Sequence, residues 1–428
     1  MVPSSVRAGH PTIQSPHERS ACRSPHSGVR EMTGSANGAG AGRAAVLVGA
    51  GMVAALNVGK LPPALHELQH EFGLSLVQVS WMLSLFLLGS ALFGIVGGSL
   101  ADRFDPRRVM IGGLLLTALT GALGALAQSA PVLFASRALE SVAFLLTVLP
   151  APALLRRTVP GASLRGWLGV WATYMPIGMG AALFFAPALM TLGGWRGAWA
   201  FCAAVAAAWA LLVAATQPRG AAHAAPPAPI GTLALATLRS RGPWLLALCF
   251  GFYAGQFMGI FGFLPSVYAE YGVSAQLGAS LTALAVASNA GGGLAAGLLM
   301  QRGVDRSTLI VVVGLTMATC AWLAFGSAVD FGWRYAAIVV LSAVGGLIPG
   351  ALFATAPFYA PSIAAVSTTV GLMQQGSGLG QLLLPPAIAA LAQYSGGWSS
   401  TWIATGAAAL VTVALGLSIR RYDAVRPR

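Results

Sequence analysis

The sequence predicts an all-α membrane protein with twelve transmembrane helices in two six-helix pseudo-repeats. Three observations predict it. First, charged residues make up only 8% of the 428 residues, hydrophobic residues make up 56%, and mean hydropathy is +0.75. A soluble domain carries about 25% charged residues, so this chain cannot cover its surface with polar groups and lipid must be its solvent. Second, the apolar residues fall into runs close to the ~20 residues that cross ~30 Å of hydrocarbon, and a Pro/Ala-rich stretch divides these runs into two equal sets. Third, the arginines fall almost entirely between alternate runs.

Residues 1–43 are rich in Ser, Pro, Gly, Arg and His and have no apolar period. They read as a disordered cytoplasmic tail, with no short apolar core before a cleavage site to mark a removable signal peptide. The first bundle, 44–216, holds runs at about 44–65, 77–99, 108–128, 131–154, 166–190 and 196–216. Residues 217–242 form a cytoplasmic linker. The second bundle, 243–420, holds runs at about 243–268, 274–300, 307–327, 333–357, 364–392 and 398–419, and 421–428 is a second cytoplasmic tail.

Loop charge checks this count. With the N-terminus in the cytoplasm, Arg103, Arg107, Arg108, Arg156, Arg157, Arg165, Arg302 and Arg306 all fall in cytoplasmic loops, and the arginines of both tails and the linker join them. External segments hold only Arg196 and Arg334, while Lys60 and Arg137 lie inside spans. This is the positive-inside pattern, which places both termini in the cytoplasm and suits a bacterial inner membrane. The formal charge of +13 therefore faces lipid headgroups and is not a nucleic-acid groove. No Gly-rich loop ends in Lys-Ser or Lys-Thr, so ATP is not the expected energy source and no cofactor is expected. Cys22, Cys202, Cys249 and Cys320 have no metal or disulfide spacing, and His66 and His70 read as a solvated loop face, so no metal is expected.

The halves echo one another. Gly193-Gly194-Trp195 with Trp199 matches Gly396-Gly397-Trp398 with Trp402, and Ala151-Pro152 matches Ala356-Pro357. The charged stretch from Gly98 to Arg108 has a weaker echo in Gly297, Gln301, Arg302 and Arg306. Parallel repeats of this kind build carriers whose site lies between the halves near the midplane.

Over residues 44–420 the chain resembles the major facilitator superfamily. Gly98-Ser-Leu-Ala-Asp102-Arg103-Phe-Asp105-Pro106-Arg107-Arg108 resembles that family's signature between helices 2 and 3, with Asp105 and Pro106 departing from it. Leu133-Phe-Ala-Ser-Arg137-Ala-Leu-Glu140-Ser141 resembles the helix-4 signature, with Glu140 where Gln is common. Met175-Pro176-Ile177-Gly178 does not meet the helix-5 antiporter signature, and together with Arg137-Ala-Leu-Glu140 it is similar to the cyanate-permease-like branch. The resemblance implies a secondary transporter rather than an enzyme. Such a protein works by alternating access and is expected to be driven by protons and functional as a monomer in the lipid bilayer, with uniport, symport and antiport all open and antiport slightly disfavoured. It also implies a gate at Gly98, Asp102, Arg103, Arg107 and Arg108, with Asp102 contacting the start of helix 11, and a coupling role for the helix-4 arginine.

The residues themselves point to candidate sites. A rise of 1.5 Å per residue puts Arg137 about 9 Å and Glu140 about 13 Å into helix 4, on one face. Charge at that depth is costly, so both must face protein or water. A structural ion pair and a substrate-anion or proton-coupling role both remain open. Lys60 lies about 6 Å below the outer face, where it either snorkels or joins Arg137 in an electropositive vestibule with Asn57 beside it. That combination favours a small organic or inorganic anion as the small-molecule substrate, and a proton-driven drug or metabolite exporter is the alternative. Trp171 and Tyr174, Tyr253 and Gln256, Ser288 and Asn289, and Gln374, Gln375, Ser377 and Gln381 are polar or aromatic groups within spans. Singly they read as interhelical glue, and together they read as a pocket lining. Trp195, Trp199, Trp398 and Trp402 read as interfacial anchors and packing groups.

Overall fold

A computed structural model describes residues 26–101, 105–219, 230–362 and 365–425. Among these residues every regular element is a helix. Lipid offers no partner for an open backbone group, so each crossing segment must satisfy its own hydrogen bonds.

Most crossing rods are two helices joined at a bend. α1 (His26–Gly59) and α2 (Leu61–Phe72) meet at Lys60. α3 (Leu76–Leu85) and α4 (Leu88–Ala101) meet at Phe86 and Leu87, followed by the single rod α5 (Pro106–Ala125). α6 (Ala130–Val148) and α7 (Ala151–Thr158) form the next rod, and α8 (Gly161–Trp171) runs into α9 (Tyr174–Thr216). The short α10 (Ile230–Arg239) comes before the second half. There α11 (Arg241–Phe261) is followed by α12 (Leu264–Glu270), and α13 (Ala275–Gln301) is one rod. α14 (Arg306–Ala321) ends in a π-turn, Trp322–Gly326, and α15 (Phe331–Gly345) leads to α16 (Leu347–Tyr359). α17 (Val366–Ser395) and α18 (Thr401–Val425) close the chain.

The bends have local causes. Pro62, Pro152, Pro176, Pro265 and Pro349 each stand in the first turn of the second helix of a rod. Proline brings no N–H there and clashes with the turn before it, so the helix restarts. At the α3–α4 bend the freed Gly89 N–H donates to Ser141 Oγ of α6 at 3.0 Å. Asp105 and Asp305 cap α5 and α14, each accepting from backbone N–H groups of the first turn. Burial opposes ionisation of Asp305, but its hydrogen bonds from Ser307 and Thr308 prevail and hold it below its ordinary value.

Among the described residues ten stretches are long and apolar enough to cross a membrane. One of them, Gly166–Thr216, is 51 residues long and breaks at Gly193 and Gly194, so it holds two passes. At Gly194 φ is +59°, a conformation that glycine adopts without a steric penalty. With the 30 residues of α17, the set accommodates the twelve passes read from the sequence.

Four boundaries differ from expectation. α1 starts at His26, inside the segment read as disordered, because extending an existing helix adds one hydrogen bond per residue fixed. The linker contains α10, whose Leu233, Leu235 and Leu238 recur at helical spacing. α9 joins two passes that the sequence separates, and α18 runs through Val425 into the expected tail.

The halves meet where side chains are small. α17 packs on α3 and α4, α13 packs on α9, and α12 touches α2. A methyl at Gly94 of α4 would lie 2.7 Å from the Gly371 carbonyl oxygen, and one at Gly378 would lie 2.5 Å from the Ala91 nitrogen. In lipid, close approach of this kind replaces the hydrophobic drive that packs helices in water.

Candidate functional site

The α1–α2 bend sets Lys60 into the first half. Lys60 is 1% exposed, and its Nζ donates to Glu140 Oε1 at 2.7 Å and to Asn57 Oδ1 at 2.8 Å. Arg137 is fully buried one turn before Glu140 on α6, and its Nη1 donates to Glu140 Oε2 at 2.5 Å and to Asn57 O at 2.8 Å. Asn57 Nδ2 donates back to Val53 O at 3.0 Å. One carboxylate thus bridges two cations, each of its oxygens held by a different one.

Lys60 does not snorkel. Its partners lie inside the bundle, and Trp199 covers it with its ring centroid 4.8 Å from Nζ. Phe86, at the α3–α4 bend, covers Arg137 with its ring centroid 4.6 Å from Cζ. Small residues on α5 make the space. A methyl at Gly124 would lie 2.9 Å from Trp199, and one at Gly121 would lie 3.7 Å from Glu140 Oε1. Ion pairs buried this way need good geometry to offset desolvation, and both contacts to Glu140 are short.

Of the two roles expected for the tryptophans, Trp199 takes packing rather than interfacial anchoring. It is fully buried, and its Nε1 has no partner among the described residues. The facing glycines Gly121 and Gly124, three apart on α5, are the sequence signal that could have placed it. Trp195 does sit at a loop, where its Nε1 donates to Glu71 Oε2 at 2.7 Å.

The other candidates divide between the halves. Trp171 stacks on Tyr174 with centroids 4.6 Å apart, and Tyr174 leads through Phe144 to Phe86. In the second half Asn289 Nδ2 donates to Tyr253 Oη at 2.9 Å and to Ser342 O at 2.8 Å, and Ser288 Oγ donates to Ala285 O. Gln256 is fully buried, and neither of its amide atoms has a partner among the described residues. Gln374 and Gln375 are half-buried, and Gln375 Oε1 has no partner among the described residues. Gln381 Nε2 donates to Ser377 Oγ at 2.9 Å.

Of the expected gate, Asp102 and Arg103 lie outside the described residues and Gly98 falls within α4. Arg107 Nη2 donates to Ala214 O at the end of α9 at 2.5 Å, and Arg107 has no acidic partner among the described residues. Asp105 instead gathers Arg157 at 3.7 Å and Arg108 at 3.9 Å. In the second half Asp423 accepts from Tyr359 Oη at 2.7 Å and pairs with Arg306 at 3.3 Å. Among the described residues no three His, Cys, Asp or Glu side chains gather as a metal site would require.

Two bundles of membrane-crossing helices, with an ion-pair cluster buried in the first of them, make a multi-pass membrane protein. The profile of the Major Facilitator Superfamily matches residues 47–374, and the chain belongs to that family. It is 29% identical over 325 residues to the 3-(3-hydroxy-phenyl)propionate transporter of Escherichia coli, covering 73% of this chain and 78% of that one. Other matches are shorter. An uncharacterized MFS-type transporter of Bacillus subtilis is 37% identical over 91 residues, covering 21% of this chain and 20% of its own length. The tetracenomycin C resistance and export protein of Streptomyces glaucescens is 31% identical over 152 residues, covering 36% of this chain and 28% of its own. The fold is shared with a bacterial homolog of the human lysosomal transporter Spinster, at a TM-score of 0.70 and 18% identity, with 88% of this chain and 96% of that one covered. It is also shared with FucP in its outward conformation, at a TM-score of 0.64 and 15% identity, with 88% and 98% covered.

Proposed function

We propose that the chain carries a small organic anion together with a proton by alternating access, with its arginine-rich loops in the cytoplasm of a bacterial inner membrane. The observation that carries this reading is Glu140 held between Lys60 and Arg137. With Glu140 ionised, the three side chains sum to a single positive charge. Protonating Glu140 releases both cations from the carboxylate that pairs them, and a bound anion then restores the balance. Proton and anion thus favour each other's binding, which is the linkage a symporter needs. The Escherichia coli relative, by name, moves a carboxylate.

The exporter reading draws on the tetracenomycin C relative. Proteoliposomes separate the two. Symport predicts that labelled organic anions accumulate when the outside is acid, whereas proton exchange predicts accumulation when the lumen is acid. In the symport reading, Glu140→Gln removes the response to the pH gradient. Uptake that ignores the gradient in the unmodified protein would sink the proposal.

A further inference from the structure

Arg137 has hydrogen-bond partners for only one of its three guanidinium nitrogens. Nη1 donates to Glu140 and Asn57, whereas Nε and Nη2 are buried without a partner among the described residues. A guanidinium has five donors in a rigid plane and does not shed its charge. Buried donors left unmade are costly, more so on an ion. The Nε–H and Nη2–H bonds leave the plane's edge in parallel, and a planar two-oxygen acceptor fills such an edge bidentately.

A line of rings begins at the same guanidinium. Its face lies over Phe86, with Cζ 4.6 Å from the ring centroid. Phe144 follows at 5.4 Å from Phe86, Tyr174 at 6.4 Å from Phe144, and Trp171 stacks at 4.6 Å on Tyr174. Gly51 of α1 keeps room for the last two, since a methyl there would lie 2.7 Å from Trp171 and 3.0 Å from Tyr174 Cβ.

We propose that the open Nε–Nη2 edge of Arg137 is the carboxylate subsite of the transported solute and that Phe86, Phe144, Tyr174 and Trp171 receive an aromatic ring. The substrate class is then a small aromatic monocarboxylate. This rests on the anion-symport reading and narrows it. An inorganic anion would leave the rings unused, and an alkyl acid would forgo the ring-to-ring geometry. A neutral amide would offer the fork a single oxygen. Phe86 and Trp171 are 1% and 8% exposed here, so the ligand enters only as the helices around them separate.

The test is isothermal titration calorimetry on the purified full chain with 3-phenylpropionate, hexanoate, nitrate and 3-phenylpropanamide. The expected result is that 3-phenylpropionate binds at least about tenfold tighter than each of the other three. Arg137→Lys keeps the charge and removes the fork, and should weaken 3-phenylpropionate about tenfold or more. Tyr174→Leu should weaken 3-phenylpropionate and leave hexanoate unchanged. Equal affinity for the acid and its amide, or for hexanoate or nitrate and the aromatic acid, overturns the proposal. If a variant fails to fold, the ligand series on the unmodified chain decides alone. Proton-driven uptake of nitrate or hexanoate without preference for the aromatic acid would defeat this subsite and leave symport standing. Tight aromatic-acid binding with uptake blind to pH would do the reverse.

Discussion

In the first half, Glu140 lies between Lys60 and Arg137, with Trp199 and Phe86 closing over the cations. In the second half the buried polar centre is neutral, with Asn289 donating to Tyr253 Oη and to Ser342 O. The helix seams that hold the two halves are nonetheless alike. α1 meets α9 through Gly59 and Gly178, where a methyl would lie 2.5 Å from Met179 O and 2.4 Å from Met52 O. Their counterparts in the second half, α11 and α17, meet through Gly255 and Gly380, where the figures are 2.6 Å from Gly380 O and 1.9 Å from Gly251 O. The repeat has kept its packing and changed its chemistry, so among the described residues the fully buried ion pairs lie in the first half.

The largest expected effect tests that asymmetry. Glu140→Gln keeps the shape and leaves two buried cations without a carboxylate, a loss of about 3–5 kcal/mol by analogy with broken buried pairs. Tyr253→Phe removes one neutral acceptor while Asn289 keeps Ser342 O, a loss of about 0.5–1.5 kcal/mol. Thermal unfolding in detergent should rank them in that order, and Lys60→Met should recover part of the loss caused by Glu140→Gln. Equal shifts for Glu140→Gln and Tyr253→Phe would erase the difference between the halves.

Seam equivalence is tested by Gly178→Ala and Gly380→Ala. Each added methyl would press on backbone, which cannot swing away, so each should destabilise by about 1–3 kcal/mol. Gly112→Ala is the control: it lies exposed on α5 with nothing within 4 Å of the new methyl. Helix propensity favours alanine there by about 0.5–1 kcal/mol, so the control should not lose stability. A seam variant that behaves like the control would show that its helices separate freely.

Much of this was legible in the sequence because lipid imposes strong rules. The passes followed from run length, and the family resemblance from Gly98–Arg108 and the helix-4 stretch. Arg137 and Glu140 stood out because charge in a span must be explained, and their spacing of three put them on one face. The direction in which Lys60 points was not legible. A lysine near a span end can snorkel or turn inward, and the choice depends on the bend that Pro62 imposes at α2 and on the carboxylate waiting on α6. Which of its two expected roles Trp199 takes, anchor or packing, was hidden for a related reason. Tryptophan near a loop usually marks the interface, and only the facing glycines of α5 admit it to the core. The contact of Arg107 with the Ala214 carbonyl at the end of α9 was not legible either, because the last carbonyls of any helix need donors and sequence does not say which side chain reaches them.

The same contrast recurs, weakly, at two loops. In the first half Arg196 grips Glu71 at 2.6 and 3.1 Å, donates to Ala127 O at 2.9 Å and lies 4.3 Å from the Trp195 ring. In the second half Arg334 has neutral partners: Tyr271 Oη at 2.9 Å and the carbonyls of Val329, Ala324 and Ser327. The Arg196 and Glu71 side chains are 40% and 37% exposed, so water screens the pair and its contribution is about 0.2–1 kcal/mol. Salt should separate the two loops. Between about 0.01 M and 1 M the screening length falls from ~30 Å to ~3 Å. The stability lost in Arg196→Ala should shrink over that range, because an ion pair is what it removes. The loss in Arg334→Ala should stay constant, because hydrogen bonds to carbonyls carry no net charge on the acceptor. Matching salt responses in the unfolding temperatures of the two variants would confine the division between a charged and a neutral half to the membrane core.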